Sequence, residues 1–328
     1  MLQFEGYIAP MDLTERQEFE LLAAISARGE IPVKFTYFGE GAELWDAVYK
    51  DPSHSAEVTS AEEALMMTHI KSFMHVFRDA ESINLIDLGC GNGLPAIGIL
   101  EKLYEENVSA NYVAVDLSKT MMELAMKNMR SRFPDLPVTE LYLDFESESL
   151  ASSLLDIKRQ SRLPNLLINL GNTLGNYVNV SSVLTNLLQC MTLDDYLIIG
   201  NGLVHDQNSQ KILKAYVDSE TEQELVTAPA RELGLFTAAD DYEVLWNSDE
   251  RRVEARIKLG SDRHLSLAEQ TVPMESGDEI LVLQSRKYTE ASLASLLTEV
   301  CFRTELLTTN RNRSYVLAMV QPTRYNAA

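Results

Sequence analysis

The stretch 85–93, which reads L-I-D-L-G-C-G-N-G, decides the fold of this chain. An apolar segment ends in Asp87, and glycines follow at the alternating positions Gly89, Gly91 and Gly93. Because glycine has no Cβ, the backbone can turn with a positive φ and a ligand can approach the main chain closely. The pattern therefore predicts a buried strand, a loop and a helix that together form a nucleotide-type pocket. The spacing is G-x-G-x-G rather than G-x-G-x-x-G, which disfavours a dinucleotide.

A second acidic residue lies where a bound ribose would need it. The apolar segment 111–116 ends in Asp116, 23 residues after Gly93. An acid about 20 residues beyond a glycine loop can accept hydrogen bonds from both ribose hydroxyls. The segment 94–105 between them has apolar residues at helical spacing, so strand, loop, helix and strand follow in order. A tight turn without a ligand is the alternative for these glycines, and the position of the acid disfavours it.

Composition excludes several classes of function. The 328 residues carry a formal charge of −21 at pH 7, which repels phosphate backbones, so we expect no nucleic-acid partner. The three cysteines (Cys90, Cys190 and Cys301) form no CxxC motif, which predicts a reducing compartment and no metal site. Neither a signal peptide nor an apolar run near 18 residues is found. We therefore expect a cytoplasmic protein without a membrane partner.

The apolar pattern predicts an α/β sheet followed by an inserted lobe. Parallel strands are predicted at 83–88, 111–116, 138–143, 165–170 and 196–200. The later elements are predicted as helices at about 207–227 and 228–235, strands at 242–247, 252–259, 264–272 and 279–287, a helix at 292–300, and a closing hairpin across 310–313. Residues 201–282 are too long for a connection inside an α/β unit. We therefore predict a main domain of 60–203 and 283–328, and a substrate-binding lobe of 1–59 and 204–282.

Several segments resemble a known enzyme family. The glycine loop resembles motif I of the class I S-adenosylmethionine (SAM) methyltransferases. The segments K-F-T-Y-F-G-E-G-A-E-L-W at 34–45, N-L-G-N-T-L-G-N-Y at 169–177, and G-L-V-H-D followed by Tyr216 resemble the histidine-specific SAM-dependent methyltransferases. The resemblance extends over roughly residues 30–320 of the chain. It implies a Rossmann-like sheet with an added α+β lobe, SAM as cofactor, and N-methylation of a small amino-acid substrate.

The resemblance also implies roles for individual residues. Tyr37 would contact both donor and substrate, and Asn176 and Tyr216 would hold the α-amino and α-carboxylate groups; Tyr37 and Asn176 are the expected catalytic residues. The donor site would comprise Tyr37, Gly89, Cys90, Gly91, Asp116, Leu117, Asp144, Phe145 and Gly171. The substrate site would comprise Trp45, His54, Thr173, Asn176, Tyr216, Ala255, Leu283 and Ser285. Amide and phenol groups supply the neutral donors and acceptors that a zwitterion needs. Turn formation at Asn176, helix packing at Tyr216 and loop exposure at His54 remain the alternatives.

Three positions depart from the family pattern, and all concern the substrate. Leu283 replaces a glutamate that can bond an imidazole N–H, Ala255 replaces a methionine, and His54 replaces a tyrosine. An imidazole beside leucine would keep an unpaired buried N–H, which costs about 1–3 kcal/mol. We therefore expect an apolar or aromatic amino acid, such as tryptophan or tyrosine, with histidine as the alternative.

A further departure concerns the donor, because the family's lysine after the glycine loop is absent from Leu94-Pro95-Ala96. This absence keeps a SAM-binding protein without catalysis as an alternative. Amino-methylating enzymes of nucleic acids are a second alternative, but they carry an N-P-P-Y-like turn where this chain has N-L-G-N.

Overall fold

The computed structural model describes residues 10–50, 59–205 and 207–323. His54, a predicted substrate residue, lies outside the described residues. The chain divides into two compact units. The smaller unit comprises Met1–Val48 and Ser209–Ser285, and the larger comprises Tyr49–Asn208 and Arg286–Ala328.

The helices and strands are numbered here in chain order. The strands are β1 (Ser82–Leu88), β2 (Ser109–Asp116), β3 (Val138–Tyr142), β4 (Asn165–Asn169), β5 (Tyr196–Gly202), β6 (Asp241–Asn247), β7 (Arg252–Lys258), β8 (Arg263–Leu267), β9 (Gln270–Met274), β10 (Glu279–Arg286), β11 (Phe302–Thr309) and β12 (Tyr315–Pro322). The α-helices are α1 (Glu15–Arg28), α2 (Glu40–Lys50), α3 (Thr59–Met74), α4 (Leu94–Glu105), α5 (Lys119–Arg132), α6 (Ala151–Ser161), α7 (Thr173–Asn176), α8 (Val180–Gln189), α9 (Ser209–Val217), α10 (Glu220–Glu232) and α11 (Glu290–Glu299). Among these helices, none is long and apolar enough to span a bilayer.

The larger unit contains a seven-stranded sheet of order β11-β12-β5-β4-β1-β2-β3. Strands β1 to β5 are parallel, and the hairpin of β11 and β12 adds two antiparallel strands beside β5. This sheet confirms the predicted α/β class and the closing hairpin. The strand order reverses between β1 and β4, and ligands of such sheets bind beyond the carboxyl ends of the strands at this reversal.

The central strands are apolar because both faces of the sheet are covered. Leu85 and Ile86 are neighbours in β1, and each is fully buried in a different apolar cluster on opposite sides of the sheet. A strand that is buried on both faces reads as a continuous apolar run rather than an alternating one. The apolar stretch before Asp87 follows from this position.

The smaller unit is built from helices and two small sheets. The larger of these sheets has three strands in the order β10-β7-β6, and the other pairs β8 with β9. Helix α1 begins with a capping box, in which Thr14 and Gln17 each bond the backbone N–H of the other. It ends at Gly29, whose φ is 61°.

Two predictions for the lobe are wrong in detail. The helix predicted over 207–227 is two helices, because Ser219 accepts a hydrogen bond from the Glu222 N–H and starts α10 anew. The strand predicted over 264–272 is a hairpin that turns at Ala268 and Glu269, with φ angles of 51° and 58°. Neither residue is the glycine or asparagine that usually marks such a turn.

Candidate active site

The glycine loop joins β1 to α4 at the carboxyl edge of the larger sheet. The N–H groups of Gly89 and Cys90 donate to the Val115 carbonyl at 2.8 and 3.1 Å, which ties the loop to β2. Gly89 has a φ of 71°, a conformation that side chains with a Cβ rarely adopt. A Cβ at Gly89 would lie 3.8 Å from Cγ2 of Thr173 and 3.9 Å from Cζ of Phe145. The loop therefore presents bare backbone to the residues that the sequence places around the donor.

Asp116 ends β2 beside this loop. Its carboxylate accepts hydrogen bonds from the backbone N–H groups of Gly91 at 3.1 Å and Ser118 at 2.9 Å. Burial raises the pKa of Asp116 to about 6, although these two N–H groups act in the opposite direction. The Cys90 thiol also donates to Oδ2 of Asp116 at 3.9 Å, whereas Oδ1 accepts from Ser118 and retains a lone pair for a predicted ribose hydroxyl. Leu117 is half-buried between Asp116 and Ser118.

The Asp144–Phe145 pair follows β3 on the same edge. Asp144 accepts hydrogen bonds from the Glu146 N–H at 3.0 Å and the Ser147 hydroxyl at 2.9 Å. The Phe145 ring is buried and meets the Tyr177 ring edge-on, with centroids 5.8 Å apart and an interplanar angle of 88°. Phe145 thus contacts the segment that follows β4.

The segment after β4 is held against β5 by asparagine side chains. Asn201 accepts a hydrogen bond from the Gly175 N–H at 3.0 Å, and Asn172 accepts one from the Gly202 N–H. A Cβ at Gly175 would overlap the carbonyl oxygen of Arg286, so the short helix α7 packs directly on backbone. The Gly171 φ is 73°, and among the described residues a Cβ there would meet only Oγ1 of Thr173, at 3.9 Å. This segment is therefore fixed where it carries the predicted substrate residues.

Asn176 is at the end of α7, and the oxygen of its side-chain amide lacks a hydrogen-bond partner among the described residues. This oxygen, Oδ1, is buried. An unpaired buried acceptor costs about 1–3 kcal/mol, so the position is one where a ligand N–H would be stabilised. The nearby Asn169 also has a buried Oδ1 without a partner in the described ranges, although its Nδ2 donates to the Tyr177 hydroxyl at 2.7 Å.

The remaining predicted residues lie in the smaller unit. Tyr37 ends a short 3-10 turn (Val33–Tyr37) and contacts Trp45 edge-on, with ring centroids 6.3 Å apart. Tyr216 of α9 donates a hydrogen bond to Oγ of Ser285 in β10 at 3.1 Å. Leu283 is buried two residues earlier on the same face of β10. Ala255 is fully buried in β7, opposite Val244 of β6. The structure thus brings Tyr37 to Trp45, and Tyr216 and Leu283 to Ser285.

A family model described as histidine-specific methyltransferase, SAM-dependent, matches residues 17–322. The chain belongs to this family. It is 23% identical over 314 residues to a histidine N-alpha-methyltransferase of Mycolicibacterium smegmatis, covering 92% of this chain and 94% of the relative. It is 19% identical over 292 residues to the N-methyltransferase imqF of Aspergillus flavus, covering 84% of this chain and 77% of that protein.

A solved structure of magnesium protoporphyrin IX methyltransferase from Synechocystis, with bound SAH, aligns to 89% of this methyltransferase and 98% of that chain. Its TM-score is 0.49 and its sequence identity is 12%. Family membership establishes a SAM-dependent methyltransferase. The open backbone at Gly89 and Gly171 and the carboxylate of Asp116 fit such a donor.

Sequence reasoning missed several residues that organise the segments carrying the candidate site residues. Glu62 of α3 accepts a hydrogen bond from the Gly171 N–H at 2.9 Å and another from the Tyr315 hydroxyl. Asn201 secures α7 through Gly175. Asp87 is the third such residue, and it accepts a hydrogen bond from the Tyr112 hydroxyl at 2.8 Å. Of the three, only Asp87 has a signal in the local sequence, because it is the acid near the end of β1.

Proposed function

We propose that this methyltransferase transfers methyl groups from SAM to the α-amino group of a free amino acid with an apolar or aromatic side chain. The observation that carries the proposal is the buried, unpaired Oδ1 of Asn176. An amide oxygen accepts a hydrogen bond from an amine N–H, and it can do so without the charge that would favour the protonated form. The position of Asn176 after β4, at the reversal of strand order, suits a group that meets the donor.

The donor site is proposed to lie along the carboxyl edge of the larger sheet. Asp116 would accept the ribose hydroxyls, with Leu117 beside it, and the backbone at Gly89, Cys90 and Gly91 would pass under the donor. Asp144, Phe145 and Gly171 would complete this site. When bound, SAM supplies a methyl group on a sulfonium, which is already activated for transfer.

The chain's own contribution is then positioning and control of a proton. The amine must be neutral to attack, so its third proton has to leave before transfer. We assign Tyr37 to this step, with its hydroxyl or a bound water relaying the proton. Asn176 would hold the amine so that its lone pair points at the methyl carbon, and Thr173 would support the same segment. Catalysis by alignment of this kind supplies a large part of the rate of bimolecular transfers.

The smaller unit is proposed to select the amino acid. Tyr216 and Ser285 carry hydroxyls suited to an α-carboxylate, and Leu283 on the same face of β10 offers an apolar contact to the side chain. Ala255 is small, which suits a bulky side chain. Trp45 and His54 are further candidates from the sequence. Histidine is the second candidate substrate, because the relative from Mycolicibacterium smegmatis is a histidine N-alpha-methyltransferase.

The decisive experiment incubates the purified protein with SAM and a pool of amino acids that includes tryptophan, tyrosine and histidine. Mass spectrometry should detect an aromatic amino acid that is heavier by one to three methyl groups. Asn176→Ala should lower kcat/KM about 100-fold, whereas Asn312→Ala, which alters an exposed asparagine in the turn before β12, should leave it unchanged. Methylated histidine at a rate equal to the best aromatic product would overturn the substrate assignment. SAM binding without any product would overturn catalysis on amino acids.

A further inference from the structure

The larger unit contains a pocket that none of the predicted site residues lines. Its volume is about 240 Å³, and its walls include Met66 and Met67 of α3, Leu94 and Pro95 of α4, and Leu170 after β4. Two carboxylates, Glu62 and Glu63, also line it. None of the described residues that line it is basic. The pocket therefore suits a ligand that is partly apolar and positively charged.

Glu62 and Glu63 differ in burial, although they are neighbours on α3. Glu62 is only 5% exposed, whereas Glu63 is exposed to solvent. One oxygen of Glu62, Oε2, is held by the Gly171 N–H and the Tyr315 hydroxyl. Space for it exists because Gly200 of β5 has no side chain, and a Cβ there would overlap Oε2. The carboxylate of Glu62 is thus fixed at the end of the pocket nearest β4.

Among the described residues, no cation forms an ion pair with Glu62. The groups that act on it within the described chain include the Tyr315 hydroxyl, the Gly171 N–H and the carboxylates of Glu63 and Asp87, none of which is positive. Its second oxygen, Oε1, makes no hydrogen bond to the described residues. Oε1 is also not one of the fully buried polar atoms that have no hydrogen-bond partner, so it is accessible to a ligand. A buried carboxylate without a counter-ion is costly, and an ammonium group with three N–H donors would relieve that cost.

We propose that this pocket binds the α-ammonium group of an amino-acid moiety, with Glu62 as its counter-ion, and that the moiety is the methionine end of SAM. The proposal rests on the donor site described above. The same chemistry could come from the amino-acid substrate, whose α-ammonium is also a primary amine.

The strand order favours the donor as the source. Asp116 ends β2 on one side of β1, and Leu170 follows β4 on the other side. Adjacent strands are about 4.8 Å apart, so the ends of β2 and β4 are separated by about 10 Å. A donor with its ribose at Asp116 that crosses the glycine loop therefore brings its methionine end to β4. Leu94 and Pro95, directly after that loop, and Leu170 are the apolar walls it would meet there.

Binding measurements without any methyl acceptor test this inference apart from catalysis. Titration calorimetry compares S-adenosylhomocysteine, which keeps the α-ammonium, with 5′-methylthioadenosine, which lacks the amino-acid moiety. Glu62→Gln keeps an acceptor for the Gly171 N–H but removes the charge. We expect Glu62→Gln to raise the Kd of S-adenosylhomocysteine about 10- to 100-fold and to change the Kd of 5′-methylthioadenosine less than about twofold.

Glu63→Gln is the matched control, because it removes an exposed carboxylate from the same pocket. It should change both affinities less than about threefold, since exposed charges contribute little. Equal weakening by Glu62→Gln and Glu63→Gln would overturn the assignment of Glu62 as the counter-ion.

A third titration separates the two sources of the ammonium. If Glu62→Gln leaves S-adenosylhomocysteine binding intact but weakens tryptophan or histidine binding to the complex, the pocket holds the substrate ammonium and the assignment to SAM is wrong. If neither affinity changes, the ammonium site itself is wrong. Should the variant not fold, wild-type protein can be titrated with deaminated S-adenosylhomocysteine, and an affinity equal to that of the parent ligand would overturn the proposal. A loss of about 10-fold or more would support it.

Discussion

The Tyr216 hydroxyl donates a hydrogen bond to Oγ of Ser285 at 3.1 Å, which joins helix α9 to strand β10 inside the smaller unit. Leu283 precedes Ser285 by two residues and lies on the same face of the strand. This face therefore combines a pair of hydroxyls with an apolar side chain. Such a combination suits an amino acid whose carboxylate and side chain are recognised by neighbouring positions of one strand.

Removal of the Tyr216 hydroxyl should weaken substrate binding and spare the donor. Tyr216→Phe removes the hydrogen bond that the hydroxyl would donate to the α-carboxylate of the substrate. We therefore expect KM for the amino acid to rise about 10-fold. The KM for SAM should stay within about twofold. Steady-state kinetics with each substrate varied in turn measures both values. Tyr104→Phe, which alters an exposed tyrosine of α4, serves as the control, and equal effects of the two variants would contradict the assignment.

A carboxylate at position 283 should favour histidine. Leu283→Glu places a hydrogen-bond acceptor where the imidazole N–H of histidine would otherwise be unpaired. Pairing this N–H should stabilise bound histidine by about 1–3 kcal/mol. We expect the ratio of kcat/KM for histidine to that for tryptophan to rise at least about 10-fold. Leu283→Met keeps the site apolar and should leave this ratio unchanged. An unchanged ratio in Leu283→Glu, in a variant that still binds SAM, would show that position 283 does not face the substrate side chain.

Alanine substitutions at Gly89 and Gly93 should differ in their effects on ligand affinity and on thermal stability. Both Gly89 and Gly93 have positive φ, at 71° and 74°, so each substitution carries backbone strain of about 1–2 kcal/mol. At Gly93 the new Cβ would also press on Ala125 of α5 at 3.3 Å, whereas at Gly89 it meets only Thr173 and Phe145 at ordinary distances. Gly93→Ala should therefore lower Tm more, and Gly89→Ala should raise the Kd of S-adenosylhomocysteine more. Thermal melts and calorimetry distinguish these effects, and the reverse order would contradict the proposed donor path.

The ligand-free protein should lose stability as the pH rises from about 5 to 8. Burial raises the pKa of Glu62 to about 7, that of Asp87 to about 7, and that of Asp116 to about 6. From about pH 5 up to pH 6 or 7, the unfolded chain has already released these protons while the folded chain still holds most of them. Ionisation of the folded groups then occurs at a cost, so stability present at low pH is lost as the pH passes through 6 to 7.

We expect Tm of the ligand-free protein to fall by about 5 °C between pH 5 and pH 8, and the fall should be smaller in Glu62→Gln, because Asp87 and Asp116 still contribute. Differential scanning calorimetry over a pH series measures the fall. A Tm that rises steadily over the same interval would mean that the three carboxyls are ionised at lower pH than their burial implies.

Local signals made the larger sheet and the segments at its carboxyl edge predictable. The glycine loop, Asp116 and the N-L-G-N-T-L-G-N-Y segment are each read within a few residues, and the parallel sheet follows from runs of buried apolar residues. Glu62 was missed because its partners are 109 and 253 residues away, at Gly171 and Tyr315. Helical spacing places Glu62 on the same face as the buried Leu65 and Met66, but that spacing does not reveal its distant partners. The turn at Ala268 and Glu269 joins neighbouring strands, so its contacts are local. It was missed because neither residue is a type that usually forms such a turn.

Each of the two units is assembled from two separate stretches of the chain. This arrangement determines when each unit can be completed during translation. The chain leaves the larger unit after Asn208 and returns to it only at Arg286. Strand β12, which pairs with β5, and Tyr315, which donates to Glu62, therefore emerge from the ribosome after the whole smaller unit. Until then the nascent β5 edge has no partner, and a chain shortened before Tyr315 would keep the glycine loop but expose a sheet edge prone to self-association.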